Sequence, residues 1–301
     1  MRLPALIVAA LVAVALPAAA QADDLPVPWT ALAGSTGQDT APAGSNDWTC
    51  KPTKGHPNPV VLVHGLAANR SVNWTTMSPF LANRGYCVFA LTYGLRENVD
   101  LGVYQPGGIH RMQRSARELK RFVERVRSAT GARKVDIVGH SEGATMPDYY
   151  IEYLGGAQKV QRYVGVSGVK HGTTLHGVGT LAAQYGTLFP GAPNPTDGTC
   201  GSCQQFLVGS DYIAAIEARA PAPGVTYTNI ATRYDELVSP YTSSFLTGSN
   251  VTNIDLQANC MLDFSDHLSI ISSPRTGRLI LNALDPAHAK PVPCVPVLPA
   301  V

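Results

Sequence analysis

The sequence predicts an α/β fold in which a mostly parallel central sheet carries helices on both faces. Three observations lead there. Short apolar runs rich in β-branched residues recur at 59–63, 86–91, 135–138, 160–166, 225–231 and 251–256, each the length of a buried strand. The stretches between several of them space their apolar residues as an amphipathic helix does, and strands alternating with helices close into a covered parallel sheet. The composition also suits a large core, because 45% of the 301 residues are hydrophobic and only 15% are charged. A chain of this size buries one core and organises as one domain.

Taken in order, the chain opens on a leader. Arg2, an apolar run over 5–16 and then Ala20-Gln21-Ala22 have the layout of an export signal cleaved after Ala22. The run is shorter than the roughly 20 residues a bilayer span requires. Residues 1–22 are therefore expected to be removed and the protein secreted to the extracellular space, with no integral membrane segment. Residues 23–57, rich in Pro, Gly, Ser and Thr, read as an irregular lead-in tied down by Cys50. Residues 58–301 read as one domain ending in a Pro-rich, extended tail. The formal net charge of +2 gives no reason to expect a nucleic-acid partner. The one basic cluster, Arg111 to Arg127, has helical spacing and reads as a solvated face.

The helices follow from periodicity. Trp74, Met77, Phe80 and Leu81 suit a short amphipathic helix. A long helix over 112–129 places Leu119, Phe122, Val123 and Val126 on one face, and Gly131 stands where a C-terminal cap belongs. Further helices are expected over 144–154 and 212–218, with Asp211 as the N-cap of the latter. A last one, over 268–284, should be broken by Pro274. Six Cys in a secreted chain imply disulfides. Cys200-Gly-Ser-Cys203 has the spacing of a redox dithiol, but it sits in a Pro/Gly/Thr-rich loop with no preceding strand and reads as a local staple.

The chemistry gathers at 134–144. Val135, Ile137 and Val138 run into Gly139, Ser141 stands at the apex, and Gly143 opens a helix-compatible segment. Glycines two residues either side of a serine permit a sharp strand-to-helix turn that projects the hydroxyl, at a helix N-terminus that favours negative charge. This is the nucleophile elbow of the α/β-hydrolase fold. A serine needs a base, and the base an orienting acid, in the chain order Ser, acid, His. Asp235 directly follows the strand over 225–231. Glu236 is its nearest rival, and Asp211, Asp255, Asp263 and Asp266 are further candidates. His267 follows the last strand and is the expected base. His171 and His176 precede the acid, His288 lies in the tail, and His56 lies before the first core strand. The oxyanion is expected on the backbone N–H groups of Glu142 and Leu66, with Gly65 allowing close approach and His64 holding the loop.

His64-Gly65-Leu66, Gly139-His140-Ser141-Glu142-Gly143, Met146-Pro147, the run Leu154 to Val160, His171-Gly172-Thr173-Thr174 and Asp266-His267 together resemble the secreted bacterial class 2 lipases. They are similar in particular to the actinobacterial extracellular lipases and esterases, and more distantly to the small lidless lipases of bacilli. The resemblance runs from Pro59 to Ile271. It implies carboxylic-ester hydrolysis of acylglycerols or shorter acyl esters, with Ser141, Asp235 and His267 as triad and Leu66 and Glu142 as oxyanion donors. It also implies the pairings Cys50–Cys87, Cys200–Cys203 and Cys260–Cys294. Glu142 stands where many relatives carry Gln or Met, which leaves the backbone donor intact.

The expected partner is an ester or lipid substrate, met by a monomer that needs no cofactor or metal, with an oil–water interface as the meeting place. A polyester depolymerase of cutinase type would use the same triad, and a non-catalytic binding protein of the same fold is the remaining alternative. The long loops over 92–108 and 167–203 are too poor in helical apolar stripes, or too broken by Gly and Pro, to form a lid helix. An open cleft is expected.

Overall fold

The computed structural model describes residues 24–31, 35, 37–95, 104–174 and 200–300. The leader expected at 1–22, and residues 96–103 and 175–199 of the two loops considered for a lid, lie outside the described residues.

Six parallel strands form one sheet in the order β2-β1-β3-β4-β5-β6. They are β1 (Val60–Val63), β2 (Val88–Leu91), β3 (Val135–His140), β4 (Val160–Val166), β5 (Thr226–Ala231) and β6 (Val251–Asp255). β1, β2 and β3 are buried along their whole length, because the side chains of each pleat face a separate core. Val61, Val63, Phe89, Leu91, Val135 and Ile137 face one layer. Val60, Leu62, Val88, Ala90 and Val138 face the other. The continuous apolar runs in the sequence are the signature of this two-sided burial.

On the first face lie α3 (Met112–Thr130), α4 (Met146–Tyr153) and α5 (Asp211–Glu217). In α3, Leu119, Val123 and Val126 are fully buried and Gly131 ends the helix in the left-handed region at φ 75°, a conformation that costs glycine least. The other face is covered by α2 (Met77–Ala82) and α6 (Pro274–Leu284). The segment 268–284 is helical in two pieces as expected, a short 3-10 turn at Ser269–Ser272 and α6, which Pro274 opens, since a proline is tolerated where the N–H has no partner.

Three local expectations differ from the structure. The helix around Trp74 is two, because Asn69 caps a separate short α1 (Arg70–Asn73) that stops at Trp74. The helix after Ser141 begins with a 3-10 turn, Ser141–Ala144, and α4 starts only at Met146. Ser210, not Asp211, caps α5, its hydroxyl accepting from Ile213 N; Asp211 occupies the first turn, where its charge suits the helix dipole.

Disulfides join Cys50 to Cys87, Cys200 to Cys203 and Cys260 to Cys294. The first ties the lead-in to the edge strand β2. There Asn46 works as a surrogate strand, accepting from Ala90 N at 2.7 Å and donating to Ala90 O at 2.9 Å, so that outer edge does not stand open for pairing. Trp48 packs on Phe89 and Phe122 beneath the guanidinium of Arg125.

Candidate functional site

Ser141 stands at the carboxyl end of β3, near the middle of the sheet, with φ +55°. Glycine is obligatory on both sides of it. A Cβ on Gly139 would lie 1.8 Å from Gly143 O, and one on Gly143 would lie 1.9 Å from Val63 O. The turn therefore closes backbone to backbone against β1 and leaves no room for any side chain. Thr145 locks it from below, donating to Ser141 O and accepting from Val169 N at 2.7 Å. Lys170, fully buried, reaches in from the segment after β4 and donates to Ala144 O at 2.5 Å and to Asp148 of α4 at 2.6 Å. Burial pulls the Lys170 pKa down and pushes that of Asp148 up, and each charge offsets the other's shift in part.

The two partners expected from the loops after β5 and β6 are in contact. His267 Nδ1 lies 2.9 Å from both carboxylate oxygens of Asp235, and both side chains are buried. Asp235 Oδ1 also accepts from Leu237 N and Val238 N. Burial pushes the Asp235 carboxyl up, but the opposing charge and hydrogen bond of His267 and the amide of Val238 bring it below its ordinary value. Burial acts on His267 in the reverse sense, and the Asp235 charge overcomes it, so the imidazole pKa is raised above 6.5. Glu236, the rival acid, takes a different place: its Oε2 accepts from the backbone N–H of His267 at 3.2 Å. Of the other candidates, Asp263 and Asp266 are buried and bound to serines of their own loop, and Asp255 pairs with Arg233.

The loop after β1 comes within reach of the elbow. A Cβ on Gly65 would stand 3.0 Å from that of Ser141. Gly65 O accepts from Ala68 N, a turn that leaves Leu66 at its inner position with its N–H directed away from the turn's own hydrogen bond. Glu142 occupies the first turn of the 3-10 segment, where amides have no partner within the helix. His64 is no base. Its Nε2 accepts from Tyr93 N, its Nδ1 donates to Gly65 O at 2.8 Å, and burial lowers its pKa to about 4.

Several residues that periodicity and spacing do not reveal complete the arrangement. Asn73, at the end of α1, accepts from Gly65 N at 3.0 Å and meets His140 Nδ1 at 3.1 Å. His140 Nε2 in turn stands 2.9 Å from the carbonyl oxygen of His267. Burial lowers the His140 pKa to about 3, so the neutral ring has one N–H to donate and the shorter contact, to His267, is its better acceptor. His140 thus fastens the elbow to the His267 loop, while Asn73 fastens α1 to the β1 loop and only lies against the unprotonated Nδ1 of His140. Ser167, at φ +49° and fully buried, has a hydroxyl with no hydrogen-bond partner among the described residues, and its proximity to Asp235 adds a little to the lowering of that carboxyl. The only signal that could have marked His140 is its place inside the Gly-x-Ser-x-Gly run; Asn73, Ser167 and Lys170 carry none.

Glu142 is the unusual member. Its side chain is fully buried behind the elbow, and burial pushes its pKa well up. The neighbouring hydroxyls of Tyr93 and Ser202 donate their protons elsewhere, to His64 O at 2.8 Å and Gly108 O at 2.7 Å. Neither oxygen of the Glu142 carboxyl has a hydrogen-bond partner among the described residues, so nothing in its surroundings offsets the effect of burial in full.

Among the described residues no group of three or more His, Cys, Asp or Glu side chains is arranged to hold a metal ion, and no helix is long and apolar enough to cross a membrane. A cleft of about 400 Å³ beside β6, lined by residues such as Asn253, Arg275 and Val292, contains none of Ser141, Asp235 or His267.

Solved structures share this architecture. Lipase B of Aspergillus fumigatus superposes with a TM-score of 0.61 at 18% identity, over 86% of this chain and 60% of that one. The mature form of the Bacillus licheniformis lipase BlEst2 gives 0.52 at 16% identity over 82% and 96%, and its propeptide form 0.52 over 86% and 54%. The chain therefore spans well under two thirds of the length of the Aspergillus enzyme and about half of the propeptide form. At these identities the likeness establishes the α/β-hydrolase fold. The sequence goes further, since the family profile described as Lipase (class 2) matches residues 57–276, a stretch that holds the elbow, both partner loops and the loop after β1. With fold and profile in agreement, the chain belongs to the class 2 lipase family.

Proposed function

We propose that the protein is a secreted serine hydrolase of carboxylic esters, acting on acylglycerols or short-to-medium acyl esters through an acyl-enzyme. The observation that carries this reading is the Asp235–His267 couple, 2.9 Å apart and buried, on the sheet edge where the elbow projects Ser141. In the first step Ser141 Oγ attacks the ester carbonyl while His267 Nε2 takes its proton, and the alcohol leaves with a proton returned from the imidazolium. Water then repeats the sequence on the acyl-serine and releases the acid. Asp235 holds the Nδ1–H tautomer and steadies the imidazolium. The N–H groups of Leu66 and Glu142 receive the oxyanion. The fixed groups are Asp235, Asn73 and His140. The Ser141 hydroxyl makes no hydrogen bond with His267 in the free protein, and such bonds commonly tighten only around substrate.

Three disulfides accord with release into an oxidising compartment. The test is labelling with a fluorophosphonate together with hydrolysis of esters graded by acyl-chain length, a polyester film included. The parent should label and turn over; Ser141→Ala should do neither, its rate falling by roughly three to six orders of magnitude with the fold intact. A parent that folds but neither labels nor hydrolyses any ester would leave a binding protein as the reading.

A further inference from the structure

Nine large hydrophobic side chains are exposed among the described residues, and six of them, Tyr234, Met261, Leu262, Phe264, Val295 and Leu298, fall on three short segments. Those segments are held as one piece. The Cys260–Cys294 disulfide joins the loop ahead of His267 to the tail. Phe264 N donates to Val297 O at 2.9 Å and Val297 N to Leu262 O at 3.2 Å, a two-bond parallel bridge. Ala300 N is bound by Asp266 at 2.7 Å, and the Tyr234 and Phe264 rings stand 5.7 Å apart. Met261 is 70% and Leu298 76% exposed. Single apolar residues scattered on a surface need no explanation, but a clustered apolar patch does.

The charge pattern narrows what the patch can meet. Neither 256–268 nor 291–300 contains a Lys or Arg, and the two carboxylates, Asp263 and Asp266, are turned inward and buried. Asp263 binds Ser265 and Ser273, and Asp266 binds the Ser269 hydroxyl and backbone. Of the cations near these segments, Arg233 is paired with Asp255, Arg275 is buried and bound to Leu256 O and Pro293 O, and Lys290 lies before the tail segment 291–300. An uncharged, apolar surface fits neither an anionic headgroup layer nor an acidic partner. Its position matters equally. Tyr234 precedes Asp235 and Phe264 precedes His267 by three residues, so the patch forms the outer rim of the Asp235–His267 couple.

We infer that this disulfide-clamped rim, Met261, Leu262 and Phe264 with Leu298 of the tail, is the surface by which the protein adsorbs to a neutral lipid–water interface. The inference rests on the ester-hydrolase reading for its choice of lipid as occupant. A substrate that does not dissolve has to be met at its own surface, and a rigid apolar collar beside the site holds the cleft against that surface without any large movement of the chain.

The test uses the full chain carrying Met261→Ser, Leu262→Ser and Leu298→Ser together, with Met261→Ser and Leu298→Ser also made singly in case the triple variant is poorly folded. Adsorption is read by co-flotation with trioctanoylglycerol droplets, in a Ser141→Ala background so that the droplets persist. Rates are read on a dissolved short-chain ester and on the emulsion. The triple variant should keep the dissolved-ester rate within about twofold, bind droplets at least tenfold more weakly and lose emulsion rate in proportion, each single variant showing a part of the loss. Undiminished flotation of well-folded variants would overturn the inference. So would a parent that dimerises in gel filtration while the variants become monomers and float equally well, which would make the patch a surface for a second copy. A parent that floats but hydrolyses nothing dissolved would count against the hydrolase reading, leaving the adsorbing surface standing.

Discussion

At the scale of single residues, the contest between Asp235 and Glu236 shows how two adjacent carboxylates acquire different work. Asp235 meets the imidazole Nδ1 and Glu236 meets only the backbone N–H of the same residue. Because the His267 pKa is raised, mainly by the Asp235 charge against the effect of burial, the acidic limb of kcat/KM should lie above the ordinary imidazole value. Asp235→Asn should move that limb to lower pH and cut the rate by about 10³- to 10⁴-fold. Glu236→Gln should stay within tenfold of the parent. The reverse pattern, Asp235→Asn active and Glu236→Gln dead, would transfer the acid role to Glu236. The same couple affects stability. The His267 contribution is present at low pH and lost as pH rises through its raised folded pKa. The Asp235 contribution is present above the ordinary carboxylate range and lost as pH falls through its lowered folded value. Between those limits both are present.

At the scale of elements, the elbow is a strand, a turn and a helix packed so closely that two glycines replace what elsewhere would be side-chain contact. Gly139→Ala and Gly143→Ala place a methyl inside 2 Å of backbone oxygens, and backbone cannot yield as a flexible side chain does. Either variant should fail to accumulate as folded protein, or should melt far below the parent. Gly155→Ala is the control. Unlike the other two it has a positive φ, of 82°, and its Cβ would meet nothing within 4 Å, so only the left-handed strain of about 1 kcal/mol applies. Circular dichroism melts of the three variants separate steric closure from conformational preference. Equal, mild losses in all three would show that the elbow is looser than its geometry.

At the scale of the whole molecule, the sheet is a two-sided core whose margins are fastened covalently. Cys50–Cys87 closes a separation of 37 residues, for which loop-closure entropy corresponds to about 4 kcal/mol as an upper figure. Asn46 and Trp48 grip the same lead-in without it. The double variant Cys50→Ser and Cys87→Ser should therefore still fold, with unfolding free energy lower by about 2–4 kcal/mol in urea titration. An unchanged midpoint would mean that the noncovalent contacts alone secure the lead-in.

Much of this architecture is legible in the chain because it depends on local chemistry. Continuous β-branched runs can be buried only on both faces, the α3 stripe repeats at the helical period, and a serine between two glycines after such a strand has one compact way to turn. Those facts determine the α/β-hydrolase fold and where the elbow stands within it. What tertiary structure alone decided are the contacts between segments distant in sequence. Asn73 reaches His140 from 67 residues away, and His140 reaches the His267 carbonyl from 127, with no periodicity to announce either. Which of Asp235 and Glu236 meets the imidazole depends on how the β5 loop aims its side chains, a matter of a few ångströms. The apolar rim became visible only once Asp263 and Asp266 proved to face inward, for burial is a property of the packed chain and not of the residue.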